Sequence, residues 1–545
     1  MERLLCLPRE DHAGEPGELD SGLRLRDGTW TLRPIQETAL RAVRACQGGF
    51  LPIGVGHGKS LIAILAATVL DRQLAIILAP ASTVRQLRET YTELSAHYRV
   101  RPAHILSYAV LSRPEGTALL EDLITGYADT DVVLVCDEAH KIRRRESART
   151  KRVIRFMRAH PGVSFVALSG TMTSKGLEDM SHLAELALRD GSPLPLQREH
   201  LNIWCRCLDV DGMANRYDWR WLQPVGEWDG VDLSALRGRQ RVERARQAVR
   251  SRLRSAPGVV ATREGSIGCS LYLLPDTDIE IPDYIQLLLE QAAEGIDPEG
   301  EPILDDLAAW RIQRHLTAGF YYRWLWPGGV VDEPWLDARR EWTRRVRAEL
   351  ERNARAGYDS PKLVSNQIEA EYAQGDRRAM HRAWYAWELE RHKPPPPVEP
   401  VWLDSYLVDH AAQWLASTVD GLVWYSSAAV GEQLAARGIR TYGAGDDPPR
   451  DAHPAAMSIA AHGTGKNLQK WSDAYVLEPP SGGAAWEQLL GRLHRQGQTA
   501  DAVIFAVAQH APAFVGALRS ARTDARYIED VSGNRQKLCY LHEID

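Results

Sequence analysis

Long apolar runs are missing from this 545-residue chain. The longest, Leu74 to Pro80 and Val132 to Cys136, are strand-length and fall short of the roughly 20 residues a membrane helix needs. Met1 to Glu10 hold too short an apolar core for a secretory signal. Cysteine is scarce. Seven residues, an odd number and mostly scattered, argue against a disulfide framework and for a reducing, cytoplasmic setting. Cys205 and Cys207 are the only close pair, and with no His or Cys at metal spacing they read as packing residues. No internal repeat is visible. Charge of one sign is not in surplus either, and a formal net charge of −6 does not announce a nucleic-acid binder.

Arginine is nevertheless concentrated locally, in 143–145, 237–254, 339–355 and 377–378. A solvated helix face is the default reading of any one such run, yet together they permit a basic groove on an acidic protein. A hydrophobic content of 44% and a charged content of 25% are ordinary for a globular chain, and the length calls for two to four domains.

Residues 1–28 are polar and glycine-rich and read as a loose lead-in. From 29 to 190, strand-like runs (Phe50 to Ile53, Leu74 to Ala79, Val132 to Cys136, Val163 to Leu168) alternate with helical ones (Leu61 to Leu70, Thr83 to His97). That alternation predicts a parallel sheet covered on both faces. Residues 191–400 are rich in Trp, Arg and Glu, with helical periodicity in Leu233 to Arg254, Tyr284 to Ala293 and Glu341 to Ala354. The run Pro394 to Pro397 reads as a stiff boundary. Residues 401–545 alternate again, with strands at Gly421 to Tyr425, Ala456 to Ala461, Ala474 to Leu477 and Ala502 to Val507. The expected fold class is therefore α/β: two parallel-sheet domains with a mostly helical insert between them.

The chemistry begins at Gly54-Val55-Gly56-His57-Gly58-Lys59-Ser60. Closely spaced glycines let successive N–H groups turn inward around phosphate oxygens at a helix start. Lys59 would neutralise the β/γ-phosphates and Ser60 would ligate Mg²⁺. Ile53 stands where the strict pattern wants glycine, so the fit is to the looser variant. Asp137 and Glu138 close the second apolar run. Asp137 is suited to holding Mg²⁺ and Glu138 to accepting a proton from the attacking water. Ser169-Gly170-Thr171 ends a further strand and can relay the phosphate state to a neighbouring domain. Near the C-terminus Arg492 and Arg495 sit three residues apart on one helical face, where they could stabilise charge on the transferring phosphoryl group. The loop Gly463-Thr464-Gly465-Lys466-Asn467 lacks a Ser/Thr after its lysine, so Thr464 and Asn467 read as donors to a nucleic-acid backbone.

In this order the blocks resemble superfamily-two helicases and translocases. Leu32-Arg33-Pro34-Ile35-Gln36 is similar to the motif whose glutamine contacts adenine, and Gly54 to Ser60, including His57, to motif I. Pro80 and Thr83 fall in a segment similar to motif Ia, which contacts nucleic acid. Asp137-Glu138-Ala139-His140 is a DEAH box, and Ser169 and Thr171 stand at motif III, implying a coupling role for both and for His140. Gly463 to Gln469 resembles motif V, and Gln488 to Gln498 motif VI. The ending Gly491-Arg492-Leu493-His494-Arg495-Gln496-Gly497-Gln498 is closest to the Swi/Snf-like branch, in the compact form common in phages and bacteria. Met172 replaces the usual proline after motif III.

The resemblance covers about residues 30–190 and 400–545 and implies two RecA-like domains closing on ATP and Mg²⁺. Nucleic acid, duplex DNA first of all, would lie across both, with Gln36 and Gln488 beside the nucleotide. The 191–400 insert is free to dock replication, recombination or defence proteins, and the Arg237 to Arg254 helix is its best candidate for extra backbone contacts. A strand-separating helicase and an ATP-driven switch without translocation are the rival readings.

Overall fold

The structure is a computed structural model, described for residues 2–10, 17–54, 56–113, 115–173, 176–262, 269–353, 361–449, 451–463 and 467–543. Its first sheet contains Gly49–Leu51 (β1), Leu74–Ala79 (β2), Ala103–Ser107 (β3), Val132–Asp137 (β4) and Ser164–Leu168 (β5). The strands run parallel in the order β1-β5-β4-β2-β3. Every residue of β2 and β4 is buried, as expected of central strands covered on both faces. Alternate side chains serve opposite cores. Ile76, Leu78 and Leu134 pack with Val153, Phe156 and Leu183 of the helices Ala148–Ala159 and Glu178–Leu188. Ala75, Ile77 and Val133 pack with Leu40, Ile64 and Leu94 of Pro34–Cys46, Lys59–Val69 and Ala81–Ser95.

The second sheet draws on a wider stretch of chain. Ser270–Asp276 (β6) belongs to it. Phe320–Trp324 (β7) and Val398–Trp402 (β8) form a separate antiparallel hairpin. Leu422–Tyr425 (β9), Arg440–Tyr442 (β10), Ala455–Ser458 (β11), Asp473–Val476 (β12), Ala502–Ala508 (β13) and His542–Glu543 (β14) complete it. All seven strands are parallel, in the order β10-β11-β9-β12-β13-β6-β14. Trp424, Trp471 and Trp486 fill its core.

Four sequence expectations change. The lead-in is anchored where it is described, at 2–10 and 17–28: Leu4, Leu19 and Leu23 enter the two first-sheet cores, and Glu37 accepts hydrogen bonds from the N–H groups of Gly17 and Leu19. Residues 191–400 are not one insert. Arg198–Leu208 and Gly238–Arg254 pack Leu201, Trp204 and Leu253 into the first core, and β6 joins the second sheet against β13. The helices from Asp283 to Glu390 build smaller clusters, three of them around Trp342, Val346, Val364 and Trp384, while Asp306–Thr317 also packs against the helix Pro512–Ser532, with Arg314 over the Phe514 ring. The expected strand Ala456 to Ala461 stops at Ser458, where Ile459–His462 turns helical. The Gly238–Arg254 helix does not present its arginines outward as a set. Arg246 reaches the Leu208 carbonyl and Asp530, Arg250 the Glu529 carbonyl, and buried Arg252 the Leu4 and Leu7 carbonyls.

The last long helix, Pro512–Ser532, joins both halves. Its Leu518, Ala521 and Ala525 fill the second core, while Tyr527 and Val531 complete the first. Tyr527 Oη donates to Asp209 at 2.8 Å. No helix among the described residues is long and apolar enough to cross a membrane.

Candidate functional site

The loop after β1, the end of β4 and the end of β5 all leave the first sheet on the same side, because parallel strands end together. Gly56 and Gly58 take the left-handed conformation, at φ +88° and +71°, and Gly58 caps the helix Lys59–Val69. A side chain at Gly58 would meet Gln36 Nε2 at 2.2 Å. The curve leaves the helix N-terminus, where Lys59 and Ser60 sit, open to an anion. Gln36 is buried beneath it. Its Nε2 donates to the Gly58 carbonyl at 3.1 Å and its Oε1 accepts from Arg33 N at 2.8 Å, so its amide braces the loop. Gly54 N donates to Thr262 Oγ1 at 2.6 Å.

Lys59 Nζ lies 3.4 Å from Glu138 Oε1 and 3.3 Å from the Gly54 carbonyl. Glu138 is held at φ +55°, a strained backbone for a residue other than glycine, of the kind kept at functional sites. Burial, and then the neighbouring Glu138 charge, raise the Asp137 carboxyl above its usual range. Burial works against the Glu138 charge too, but Lys59, His140 and Arg492 outweigh it and hold this carboxyl well below its usual range. Two buried carboxylates thus share one lysine. With Ser60 beside them they form an oxygen-donor set of the kind a magnesium ion takes.

Glu138 continues into a chain of polar contacts. Ser169 Oγ donates to Glu138 Oε2 at 3.3 Å, and His140 Nδ1 stands 3.0 Å from Ser169 Oγ and 3.2 Å from Glu138. Thr171 N donates to Ser169 Oγ. Across the cleft, Gln488 Nε2 is 3.4 Å from His140 Nε2. Burial lowers the pKa of His140 and pushes His57 down to about 4, the latter helped by Lys59, Lys537 and Arg33.

The second half of the chain closes the cleft with the helix Gly483–Leu493 and the turn after it. Arg492 and Arg495 line the same cavity as Gly58, Lys59, Asp137 and Glu138. Arg492 is buried and donates from Nε to the Gln488 carbonyl at 3.0 Å, and burial followed by Arg495 brings its pKa to about 10.

Of the residues expected at nucleic acid, Thr83 and Asn467 line this cleft, and Arg495 donates to Asn467 Oδ1. Pro80 instead lines a separate groove with Arg85, Lys141 and Arg149 on one side and Asp446 and His462 on the other. Thr464 lies outside the described residues. Sequence reasoning did not find Thr262, Asn534 or Lys537. Asn534 Nδ2 donates to the Gly170 carbonyl at 3.2 Å, and Lys537 is buried 3.6 Å from Glu487. Neither lies in a motif, and both reach the site through contacts distant in sequence.

No model of a known protein family matches the chain, and a search of curated proteins gives no match either.

Proposed function

We propose that the chain is an ATP-dependent nucleic-acid translocase of the superfamily-two type, acting on duplex DNA and built on two RecA-like units. One observation carries this reading: Arg492 and Arg495, from the second half of the chain, line the same cleft as Lys59, Asp137 and Glu138 from the first. A phosphate loop alone serves many nucleotide-binding chemistries. A loop and carboxylate pair faced by two arginines from a second parallel-sheet unit suits hydrolysis coupled to relative motion of the units.

In this reading Lys59 and the loop N–H groups hold the β- and γ-phosphates, while Ser60 and Asp137 would hold magnesium, which would screen the phosphate charge. Ionised Glu138 accepts the proton of the attacking water, and Arg492 and Arg495 stabilise the transferring phosphoryl group. His140 touches Glu138, Ser169 and, across the cleft, Gln488, so it is positioned, with Ser169 beside it, to carry the hydrolytic state between units. The groove lined by Arg85, Lys141 and Arg149 is the surface for the nucleic-acid backbone.

The test is ATP hydrolysis measured without nucleic acid, with duplex DNA, with single-stranded DNA and with RNA. Stimulation by duplex DNA that is lost in Glu138→Gln, with nucleotide binding retained, supports the reading. Preference for single strands or RNA would replace it with a strand-separating helicase. Hydrolysis indifferent to all three would leave an ATP-driven switch.

A further inference from the structure

The arginine runs in this chain fall into two kinds. In one kind, acids close by neutralise the charge: Arg239 pairs with Glu243, Arg344 and Arg345 with Glu341, Arg352 with Glu349, and Arg378 with Glu371 and Asp376. Such pairs leave little net field and suit a solvated helix face. The stretch from Arg145 to Arg158 differs. Arg145, Arg155 and Arg158 have no carboxylate within salt-bridge distance among the described residues, although Arg155 and Arg158 are exposed. They line one shallow depression with Lys151, Ile154 and Glu146, in which Lys151 alone is neutralised, by Glu146 at 2.8 Å.

The helix Ala148–Ala159 explains the grouping. Its Thr150, Val153, Phe156 and Met157 are buried, which turns Lys151, Arg155 and Arg158 to the opposite face. Twelve residues span about 18 Å, a length over which duplex DNA presents roughly ten phosphates. The depression offers guanidinium forks, one aliphatic side chain and no deep apolar pocket, which suits a phosphate backbone better than an acidic peptide with side chains to bury. It also adjoins the groove in sequence. Lys141 and Arg149, on either side of Arg145, both line the groove that runs between the two halves.

We propose that Arg145, Arg155 and Arg158 form a second phosphate-backbone contact, which extends the path of bound duplex outward from the groove over the face of the Ala148–Ala159 helix. The inference rests on the nucleic-acid reading above and deepens it. The surface lengthens the footprint and takes no part in hydrolysis.

The experiment compares the full chain with an Arg145→Ala/Arg155→Ala/Arg158→Ala variant, by fluorescence anisotropy with labelled 12- and 40-base-pair duplexes between 50 and 200 mM salt. Three lost phosphate contacts reduce the slope of log affinity against log salt by about 2.7 on the long duplex. Raising salt fourfold therefore weakens the parent chain roughly 40-fold more than the variant. The 12-base-pair duplex, held by the groove alone, shows little difference, and ATP hydrolysis without nucleic acid is unchanged. An unchanged slope on the long duplex, with duplex binding intact, overturns this surface but leaves the proposed function standing. So does a variant that loses affinity only for a polyglutamate probe. Failure of the parent chain to bind any duplex overturns both.

Discussion

Replacing Lys59 by Met removes the one cation that two buried carboxylates share. At 3.4 Å, with the side chains only 10% and 13% exposed, the Lys59–Glu138 attraction is about 5 kcal/mol at an effective dielectric of 20. Desolvation of both ions offsets much of this, and Glu138 keeps His140 and Arg492 as neighbours. Breaking a buried pair from one side costs about 3–5 kcal/mol, so a loss of about 2–4 kcal/mol is expected for Lys59→Met at pH 8. The loss shrinks toward pH 5, where Glu138 without its lysine can take up a proton. Glu138→Gln should cost less, about 1 kcal/mol, because Asp137 stands ready to ionise beside Lys59 once its neighbour's charge is gone. The double variant then shows a coupling of about 1–3 kcal/mol. Urea unfolding followed by tryptophan fluorescence, with chelator and without nucleotide, measures all four corners of the cycle. A coupling below about 0.5 kcal/mol, or a Lys59→Met chain as stable as its parent at pH 8, would refute the shared-lysine account.

Three further outcomes are expected. Arg492→Ala lowers the ATP turnover rate by about 10³–10⁵ while leaving nucleotide affinity within a few fold, as read by steady-state kinetics and equilibrium binding. Gly58→Ala combines a positive φ, worth about 1–2 kcal/mol, with a collision against Gln36, and should abolish nucleotide binding in calorimetry. Burial raises the Asp209 carboxyl to about 6, so between pH 4 and 6 the folded chain keeps a proton that the unfolded chain releases. That contribution is fully present below pH 4 and is lost as pH rises through 6. Asp209→Asn, which still accepts from Leu177 N and Tyr527 Oη, should remove this slope and stabilise the chain at pH 8 by about 1–2 kcal/mol after solvent screening. Denaturation midpoints at pH 4, 6 and 8 check it, and a midpoint at pH 8 lowered by the substitution would contradict the sign.

How much could be read in advance follows from how local each feature is. β2 and β4 are continuous apolar runs because both their faces are covered, so their positions stood out. β3 was missed, since only Ile105 of its five residues is buried, and β10 was missed for the same reason at the other sheet's edge. β6 escaped notice because its alternation is weak and its partner β13 comes more than two hundred residues later. The phosphate loop, the carboxylate pair and the paired arginines are each compact in sequence, and they share one cleft. Thr262 and Asn534 reach the site across 208 and 364 residues, a separation that no local pattern encodes. The Arg237 to Arg254 run shows the opposite failure: composition marked it as a surface, but packing turned its Arg246, Arg250 and Arg252 inward.

The Pro512–Ser532 helix also sets a timetable for synthesis. Tyr527 is 318 residues from Asp209, its hydrogen-bond partner in the first core. At ribosomal speeds of about 5–20 residues per second, that core waits on the order of 15–60 s for its last aromatic side chain. During that interval the first half is exposed with an unfilled seam where Tyr527 and Val531 belong. A chain cut before this helix would keep that seam permanently, so truncations meant to isolate the first half should carry the helix in trans.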